Sequence, residues 1–338
     1  MKSNILEIEP IRFSEIEKDW NQLYHSQDMF TFYQSYDYLK KTGKGFLPRK
    51  PLKAVLSSEC TYMVKDQNGI LAIFSGLKSR GEISFRGMFT GAGNLDFVYR
   101  SDMTQNQFDK IFTYIKEKNC GCKIILDRVS EQSLTRQFCE NSQLFQQEEE
   151  QICVAIQLMD NYNAWYNGLS KSVRQNIRTS YNRMNTDKQS YEFQFNLQQG
   201  IEQQNVEDMI KLFSNRAADY KHLNKRLSWI MRIVKESDPV VRYLMKGNHT
   251  VYSFVKINGK LAAAMCGFLN QDGSWVIPKL AIDMEFSRYS PGGILLNESI
   301  KYICENKIGI TGIDLSRGEE QYKYRYGGKE HLNYKFIG

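Results

Sequence analysis

Residues 288–296 read Arg288-Tyr289-Ser290-Pro291-Gly292-Gly293-Ile294-Leu295-Leu296, and this stretch says most about the fold. It follows an apolar segment, Trp275 to Ile282, that is typical of a strand, and it opens a predicted helix. Ser290 is a good N-cap residue, and Pro291 suits the first helical position because its missing N–H loses no helical bond. Open amides at a helix start attract anions. The anion-binding candidates are Arg288, Ser290, Gly292, Gly293 and Ile294.

The same glycines are also expected where a helix start packs closely on a neighbouring strand, and the residues alone do not separate the two interpretations. Two common nucleotide motifs are excluded. No Gly-Lys-Ser/Thr follows the glycines, so the segment is not a Walker loop. The stretch Gly91-Ala92-Gly93 continues as Asn94-Leu95-Asp96 rather than to a third glycine, which rejects a dinucleotide fingerprint.

The pattern around these segments is mixed α/β and occurs twice. A hairpin is predicted at Asn68-Gly69 and another at Asn258-Gly259, both followed by x-Leu-Ala, at an offset of 190 residues. Asp127 and Asp314 each close a short apolar strand, at an offset of 187. We interpret the repeated order as an internal duplication, with an N-terminal domain at 1–150 and a C-terminal domain at 151–338.

Composition excludes several classes of protein. The 338 residues are 41% apolar and 25% charged, which supports two buried cores rather than disorder. No uncharged apolar run approaches the ~18 residues of a membrane span, and no signal peptide is evident, so we expect a cytoplasmic protein. The seven cysteines are scattered and the four histidines isolated, so we expect reduced thiols and no metal site. The net charge of +7 suits a polyanionic small ligand without requiring one.

A predicted helix after Ser170 carries basic residues on one face and apolar residues on another. The basic residues are Lys171, Arg174 and Arg178. Two interpretations stay open, a solvated surface helix and a basic wall beside a polyanionic ligand.

A second polar cluster follows the strand that ends near Asp314. Ligands of α/β folds collect at such strand ends. Asp314 is a candidate to orient a nucleophile, Tyr322 to donate a proton, and Lys323 to grip a carboxylate or phosphate. Arg317 is a further substrate-binding candidate. The alternative is a Tyr-rich turn that packs on the sheet, with Lys323 in a structural ion pair.

Together these motifs resemble the double-domain GNAT acyltransferases linked with exopolysaccharide biosynthesis (the BioF2-like/CelD-like acetyltransferase domain), which are related to Fem-type peptidoglycan aminoacyltransferases. The resemblance covers nearly the whole chain. It is carried by Trp20 with Leu23, Phe30-Thr31-Phe32, Gly91 to Tyr99, Ser170 to Arg178, Ser290 to Gly293, and the set Asp314, Arg317-Gly318 and Tyr322-Lys323.

The resemblance implies two tandem GNAT-like domains, the first of them degenerate. It implies acyl transfer from acetyl-CoA or another acyl-coenzyme A, with no permanently bound cofactor, to an amine of an amino sugar or cell-envelope precursor. The loop Arg288 to Gly293 would hold the donor pyrophosphate, with Pro291 at the position where the family usually has Gly. Two alternatives are an aminoacyl-tRNA-dependent Fem-type ligase, in which the basic helix contacts tRNA, and a non-catalytic module of polysaccharide assembly. A DNA partner is not expected.

Overall fold

The computed structural model describes residues 6–43, 56–90, 92–159, 161–197, 202–219, 243 and 250–338. The chain divides into two compact units. The first unit holds Met1–Ile152 together with His331–Gly338, and the second holds Cys153–Glu330. No helix among the described residues combines the length and the apolar character that crossing a membrane requires.

The first unit is a mixed sheet with helices. Its elements are β1 (Glu7–Pro10), α1 (Glu17–Tyr24), α2 (Tyr36–Thr42), β2 (Ser58–Asp66), β3 (Gly69–Ser79), β4 (Glu82–Phe85), β5 (Val98–Tyr99), α3 (Gln105–Lys118), β6 (Lys123–Ser130) and α4 (Leu134–Asn141). The strand order is β1-β2-β3-β4-β6, continued by the C-terminal strand β13 (Lys329–Ile337), while β5 pairs with β3. Strands β4 and β6 are parallel, and the other pairs are antiparallel.

The second unit has the same architecture. Its elements are the end of β7 (Gln146–Gln157), α5 (Tyr162–Gly168), α6 (Lys171–Thr186), β8 (Tyr191–Leu197), α7 (Gln203–Asp219), β9 (Thr250–Ile257), β10 (Lys260–Leu269), β11 (Ser274–Ile282), α8 (Pro291–Asn306), β12 (Gly312–Arg317) and α9 (Gln321–Arg325). The strand order is β8-β9-β10-β11-β12-β7. Here β11 and β12 are the parallel pair, and the other pairs are antiparallel.

The two sheets follow one topology. Each has an antiparallel run, a hairpin with Asn-Gly at its turn, one parallel pair and an antiparallel strand beyond it. A helix precedes the second strand of the parallel pair in both units, α3 before β6 and α8 before β12. The mixed α/β class and the duplicated topology predicted from the sequence are therefore present.

The last strand lies in a different unit from the one that the domain boundaries 1–150 and 151–338 suggest. Residues Asn333–Ile337 of β13 pair with Ile125–Ser130 of β6 in the first unit. The side chains of Tyr334 and Phe336 are buried there. Strands about 200 residues apart in sequence form this pairing, and no local pattern reports it.

Helix starts follow their capping residues in most places. Thr104 caps α3 with Gln107 in a capping box, and the Ser170 hydroxyl accepts the Val173 N–H at the start of α6. The capping-box spacing of Ser14 and Glu17 also predicts a helix that begins at Ser14. That prediction is wrong, because Ser14 lies in a short 3-10 helix and α1 begins only at Glu17. The sequence also predicts a helix around Leu227 to Lys235, a segment that lies outside the described residues.

Candidate active site

The parallel strands β11 and β12 pair for three residues and then separate. Ser274–Val276 pair with Gly312–Asp314, and no later residues of these two strands pair. Beyond this point the register of β12 against β7 shifts, and Ser316 adopts a positive φ of 58°. In the part of the chain that the structure describes, this separation leaves one edge of the second half of β11 without a neighbouring strand.

Backbone groups of β11 point into this opening. The Asp283 N–H donates to the Ala262 carbonyl oxygen at 2.8 Å, so these two residues form a hydrogen-bonded pair. Hydrogen-bonded and non-bonded pairs alternate along an antiparallel ladder. Ala281 therefore also faces β10, whereas the N–H groups of Leu280 and Ile282 face away from β10 and into the opening.

A cavity of about 520 Å³ lies at the opening. This volume is in the range of small-molecule sites. The cavity is lined by α6 (Val173, Asn176, Ile177, Thr179, Ser180, Arg183), by β11 and the segment after it (Leu280, Ile282, Ser287, Ser290), by the start of α8 (Pro291, Gly292, Gly293, Leu296) and by Tyr322, Arg325 and Tyr326. Among these lining residues there are two arginines and no carboxylate, so the cavity favours an anionic ligand.

The start of α8 differs from the sequence-based expectation in its hydrogen bonds. Ser290 occupies the N-cap position in a left-handed conformation, with φ 50° and ψ 54°, and its side chain makes no capping bond. Its carbonyl oxygen accepts the N–H groups of Gly293 at 2.9 Å and Ile294 at 3.2 Å. Of the predicted anion-binding residues Gly292, Gly293 and Ile294, the last two therefore have backbone N–H groups that are already bonded within the helix. Pro291 has no N–H to contribute.

Close packing requires both glycines of this helix start. A Cβ atom on Gly292 would lie 3.0 Å from Cγ2 of Ile282, and a Cβ atom on Gly293 would overlap the Tyr326 hydroxyl. The packing interpretation that the sequence left open thus accounts for the two glycines. It also places the Tyr326 hydroxyl directly against the start of α8.

Two tyrosines line the cavity, the proton-donor candidate Tyr322 and, in addition, Tyr326. The Tyr326 ring stacks on Trp165 with centroids 6.4 Å apart, and the Trp165 indole N–H donates to the Tyr326 carbonyl oxygen at 3.2 Å. Burial raises the pKa of the Tyr326 hydroxyl to about 12, so it carries its proton at neutral pH. Tyr324 donates to Glu330 instead. Tyr326 follows Tyr322 by four residues, a helical spacing that could have indicated that both side chains lie on the same side of the chain.

The Lys323 side chain is buried and bonded to the protein itself. Its side chain is 2% exposed, and its ammonium donates to the carbonyl oxygens of Ser316, Arg317 and Gly318 at 3.0, 2.8 and 3.0 Å. Glu320 pairs with it at 3.0 Å. These bonds occupy all the ammonium donors and hold the end of β12 in place. The predicted substrate-gripping role of Lys323 therefore conflicts with its geometry.

Asp314 supports the same strand end. Its Oδ1 accepts the Ser316 N–H at 2.7 Å, and the residue is buried. Neither Asp314 nor Lys323 lines the cavity, and the exposed Arg317 does not line it either. The structure thus brings Asp314 and Lys323 together around the bend of β12 rather than around a ligand space.

The predicted basic residues lie outside the cavity lining. Arg288 pairs with Asp187 at 3.1 Å. Arg174 donates to the carbonyl oxygens of Asn167 and Leu169, at the end of α5, at 2.6 and 3.0 Å. Arg178 and Lys171 are exposed on α6, and Arg178 donates to Gln175 at 3.0 Å. The arginine that α6 contributes to the cavity is instead Arg183, which sequence reasoning missed. Arg183 lies at helical spacing from Asn176 and Ser180, and this spacing could have indicated that the three residues share one face of α6.

Comparison with known proteins shows that most of this site lies in a domain of a known family. Residues 171–324 match the model of the acetyltransferase (GNAT) domain family. No curated protein matches the chain significantly. The matched region includes the separated strands, the start of α8 and most of the cavity lining.

Solved structures share the fold over the whole chain. The crystal structure of FemX has a TM-score of 0.61 at 10% identity, over 98% of this chain and 96% of that chain. The C-terminal domain of a putative lysylphosphatidylglycerol synthetase from Agrobacterium fabrum has a TM-score of 0.55 at 11% identity, over 96% and 92%. A tandem GNAT protein from the clavulanic acid biosynthesis pathway has a TM-score of 0.53 at 9% identity, over 99% and 98%.

These findings confirm the GNAT domain and the two-domain fold that the resemblance implied. The chain has two GNAT-like domains, with a GNAT acetyltransferase domain at 171–324 and a fold shared with FemX. Its domain at 171–324 is that of a transferase.

Proposed function

We propose that the protein transfers an acyl group from acyl-coenzyme A to an amine of an amino sugar, or of another cell-envelope or exopolysaccharide precursor. One observation carries the proposal. The outward N–H group of Ile282 and the protonated hydroxyl of Tyr326 belong to residues that line one basic cavity, at the point where β11 and β12 separate.

The chemistry follows from these groups. The neutral amine attacks the thioester carbonyl carbon, and a C–N bond forms while the carbonyl oxygen becomes an oxyanion. The N–H of Ile282 donates to that oxyanion. When the C–S bond breaks, Tyr326 gives its proton to the leaving thiolate. The amine releases one proton to solvent, from which Tyr326 is reprotonated.

Other residues hold the reactants. The apolar lining residues and the hydroxyls of Thr179 and Ser287 surround the donor chain, and the Gly292 end of α8 faces its phosphates. The exposed Lys171 and Arg178 are candidates for contacts with a polyanionic acceptor. Binding both reactants in one orientation supplies much of the rate gain in transfers of this type.

A second candidate function is aminoacyl transfer from an aminoacyl-tRNA. It is favoured by the start of α8, where Pro291 lacks an N–H and the amides of Gly293 and Ile294 donate to Ser290, so that the usual amide cradle for a pyrophosphate is reduced. The exposed basic residues of α6 would then contact RNA phosphates.

The test compares Tyr326→Phe with Tyr324→Phe, whose hydroxyl contacts Glu330. With acetyl-CoA and a panel of amino sugars, we expect Tyr326→Phe to lower kcat by roughly 100-fold with little change in the KM for acetyl-CoA. Tyr324→Phe should retain wild-type turnover. Equal activity of both variants would remove Tyr326 from the mechanism.

Binding separates the two candidate donors. Acyl-CoA should stabilise the wild-type protein against thermal unfolding. If no acyl-CoA does so, while an aminoacyl-tRNA binds with an affinity that falls steeply with salt, the second candidate function replaces the first.

A further inference from the structure

We infer that Arg183 and Arg325 bind the phosphate groups of the acyl donor, and that they take over this role from the amides at the start of α8. The inference rests on the proposed function and names the residues that select a phosphorylated donor. The sequence had assigned this role to Arg288 and to the backbone of Gly292, Gly293 and Ile294.

The start of α8 is short of amide donors. A helix start binds an anion through N–H groups that have no partner in the helix. At α8, the Gly293 and Ile294 N–H groups both donate to the Ser290 carbonyl oxygen, and Pro291 has no N–H. The amide of Gly292 is what remains of the first turn, and one neutral donor does little to balance the charge of a pyrophosphate.

Arg288 is already paired with a carboxylate. Its Nε lies 3.1 Å from Oδ2 of Asp187, and its Nη2 lies 3.3 Å from Oδ1 of the same carboxylate. The Tyr289 hydroxyl donates to Asp187 as well, at 2.9 Å. Arg288 therefore fastens the segment before α8 to the end of α6, and its charge is already balanced.

Two other arginines, Arg183 and Arg325, line the cavity. Arg183 donates from Nη1 to the Arg288 carbonyl oxygen at 3.0 Å, which holds its side chain beside the segment that leads into α8. Arg325 donates from Nη2 to Gln321 at 3.1 Å. A guanidinium has five N–H donors, so each arginine keeps several for phosphate oxygens. No carboxylate among the described lining residues competes for them.

The experiment measures the binding of coenzyme A to Arg183→Gln and Arg325→Gln by calorimetry. The control is Lys211→Gln, which removes the same charge from an exposed position on α7, outside the cavity lining. We expect each arginine variant to bind coenzyme A at least about 10-fold more weakly, and the control to bind it normally. Arg183→Lys should keep more of the affinity than Arg183→Gln, since it keeps the charge.

A second ligand isolates the phosphates. S-acetylpantetheine lacks every phosphate of coenzyme A, so its affinity should be the same in the wild type and in both arginine variants. Dephospho-coenzyme A, which keeps the pyrophosphate but lacks the 3′-phosphate, shows which phosphate is bound. Thermal unfolding of each variant shows whether Arg183→Gln still holds the segment before α8.

The outcomes are distinct. Unchanged coenzyme A affinity in both arginine variants overturns the inference and leaves the proposed function standing. An equal loss of affinity for S-acetylpantetheine, or a loss that tracks lower stability, also overturns it. If the wild type does not bind coenzyme A at all, the proposed donor fails, and the inference fails with it.

Discussion

Replacing Lys323 by methionine tests whether this lysine acts on substrate or holds the fold. Methionine keeps an apolar stem of similar length and removes the ammonium. In the wild type the Lys323 side chain is 2% exposed, and its ammonium donates to three backbone carbonyl oxygens at 2.8–3.0 Å. The three carbonyls belong to the bend of β12, where Ser316 and Gly318 have positive φ angles of 58° and 105°.

The expected loss of stability follows from these bonds. A hydrogen bond from a charged donor contributes about 1.5–3 kcal/mol. Desolvation of the buried ammonium opposes this gain and costs several kcal/mol. We therefore expect Lys323→Met to lower the free energy of unfolding by about 3–5 kcal/mol. For a domain of this size, that corresponds to a fall in Tm of roughly 10 °C.

The assay pairs thermal unfolding with transfer kinetics below the variant's Tm. Glu320→Gln is the matched control, because it removes the half-exposed partner of the ion pair and leaves the three carbonyl bonds in place. It should cost at most about 1 kcal/mol. A fall in kcat/KM of about 100-fold in Lys323→Met, with an unchanged Tm, would refute this reasoning and restore a substrate-binding role.

Two further predictions concern the first unit. Removal from solvent raises the pKa of Asp96 from 3.8 to about 7, although Thr135 donates to its carboxyl at 2.7 Å and Ser133 donates as well. The folded state therefore binds the proton more tightly than the unfolded state, and this contribution to stability is complete below pH 3.8 and is lost as pH rises through about 7. Denaturant unfolding at pH 5 and pH 8 should show a fall of roughly 2–4 kcal/mol from this group, and Asp96→Asn should remove it. An equal pH dependence in variant and wild type would exclude Asp96 as its source. Deletion of residues 331–338 removes the buried Tyr334 and Phe336 from the first unit, so the unit should lose about 3–6 kcal/mol. Hydrogen exchange in β6 should rise accordingly, and unchanged protection there would contradict the pairing of β13 with β6.

The sequence by itself determined the local elements and their repetition. The turn at Asn258-Gly259 was predictable because both residues adopt the positive φ angles, 50° and 76°, that such a turn needs. Helix α6 and its Ser170 cap were also predictable, because both depend on residues only a few positions apart in the sequence. The duplication followed because these local signals recur in one order in both halves of the chain.

Tertiary structure decided which charged and aromatic groups reach a ligand. Arg288, Arg183 and Arg325 look alike in the sequence, yet Arg288 pairs with Asp187 while Arg183 and Arg325 line the cavity. Lys323 lies beside Tyr322 in the chain, but its ammonium turns to the carbonyl oxygens of β12. The pairing of β13 with β6 was hidden in the same way. A charge or a strand edge takes its role from the groups within a few ångströms, and in a folded chain those groups come from segments far apart in sequence.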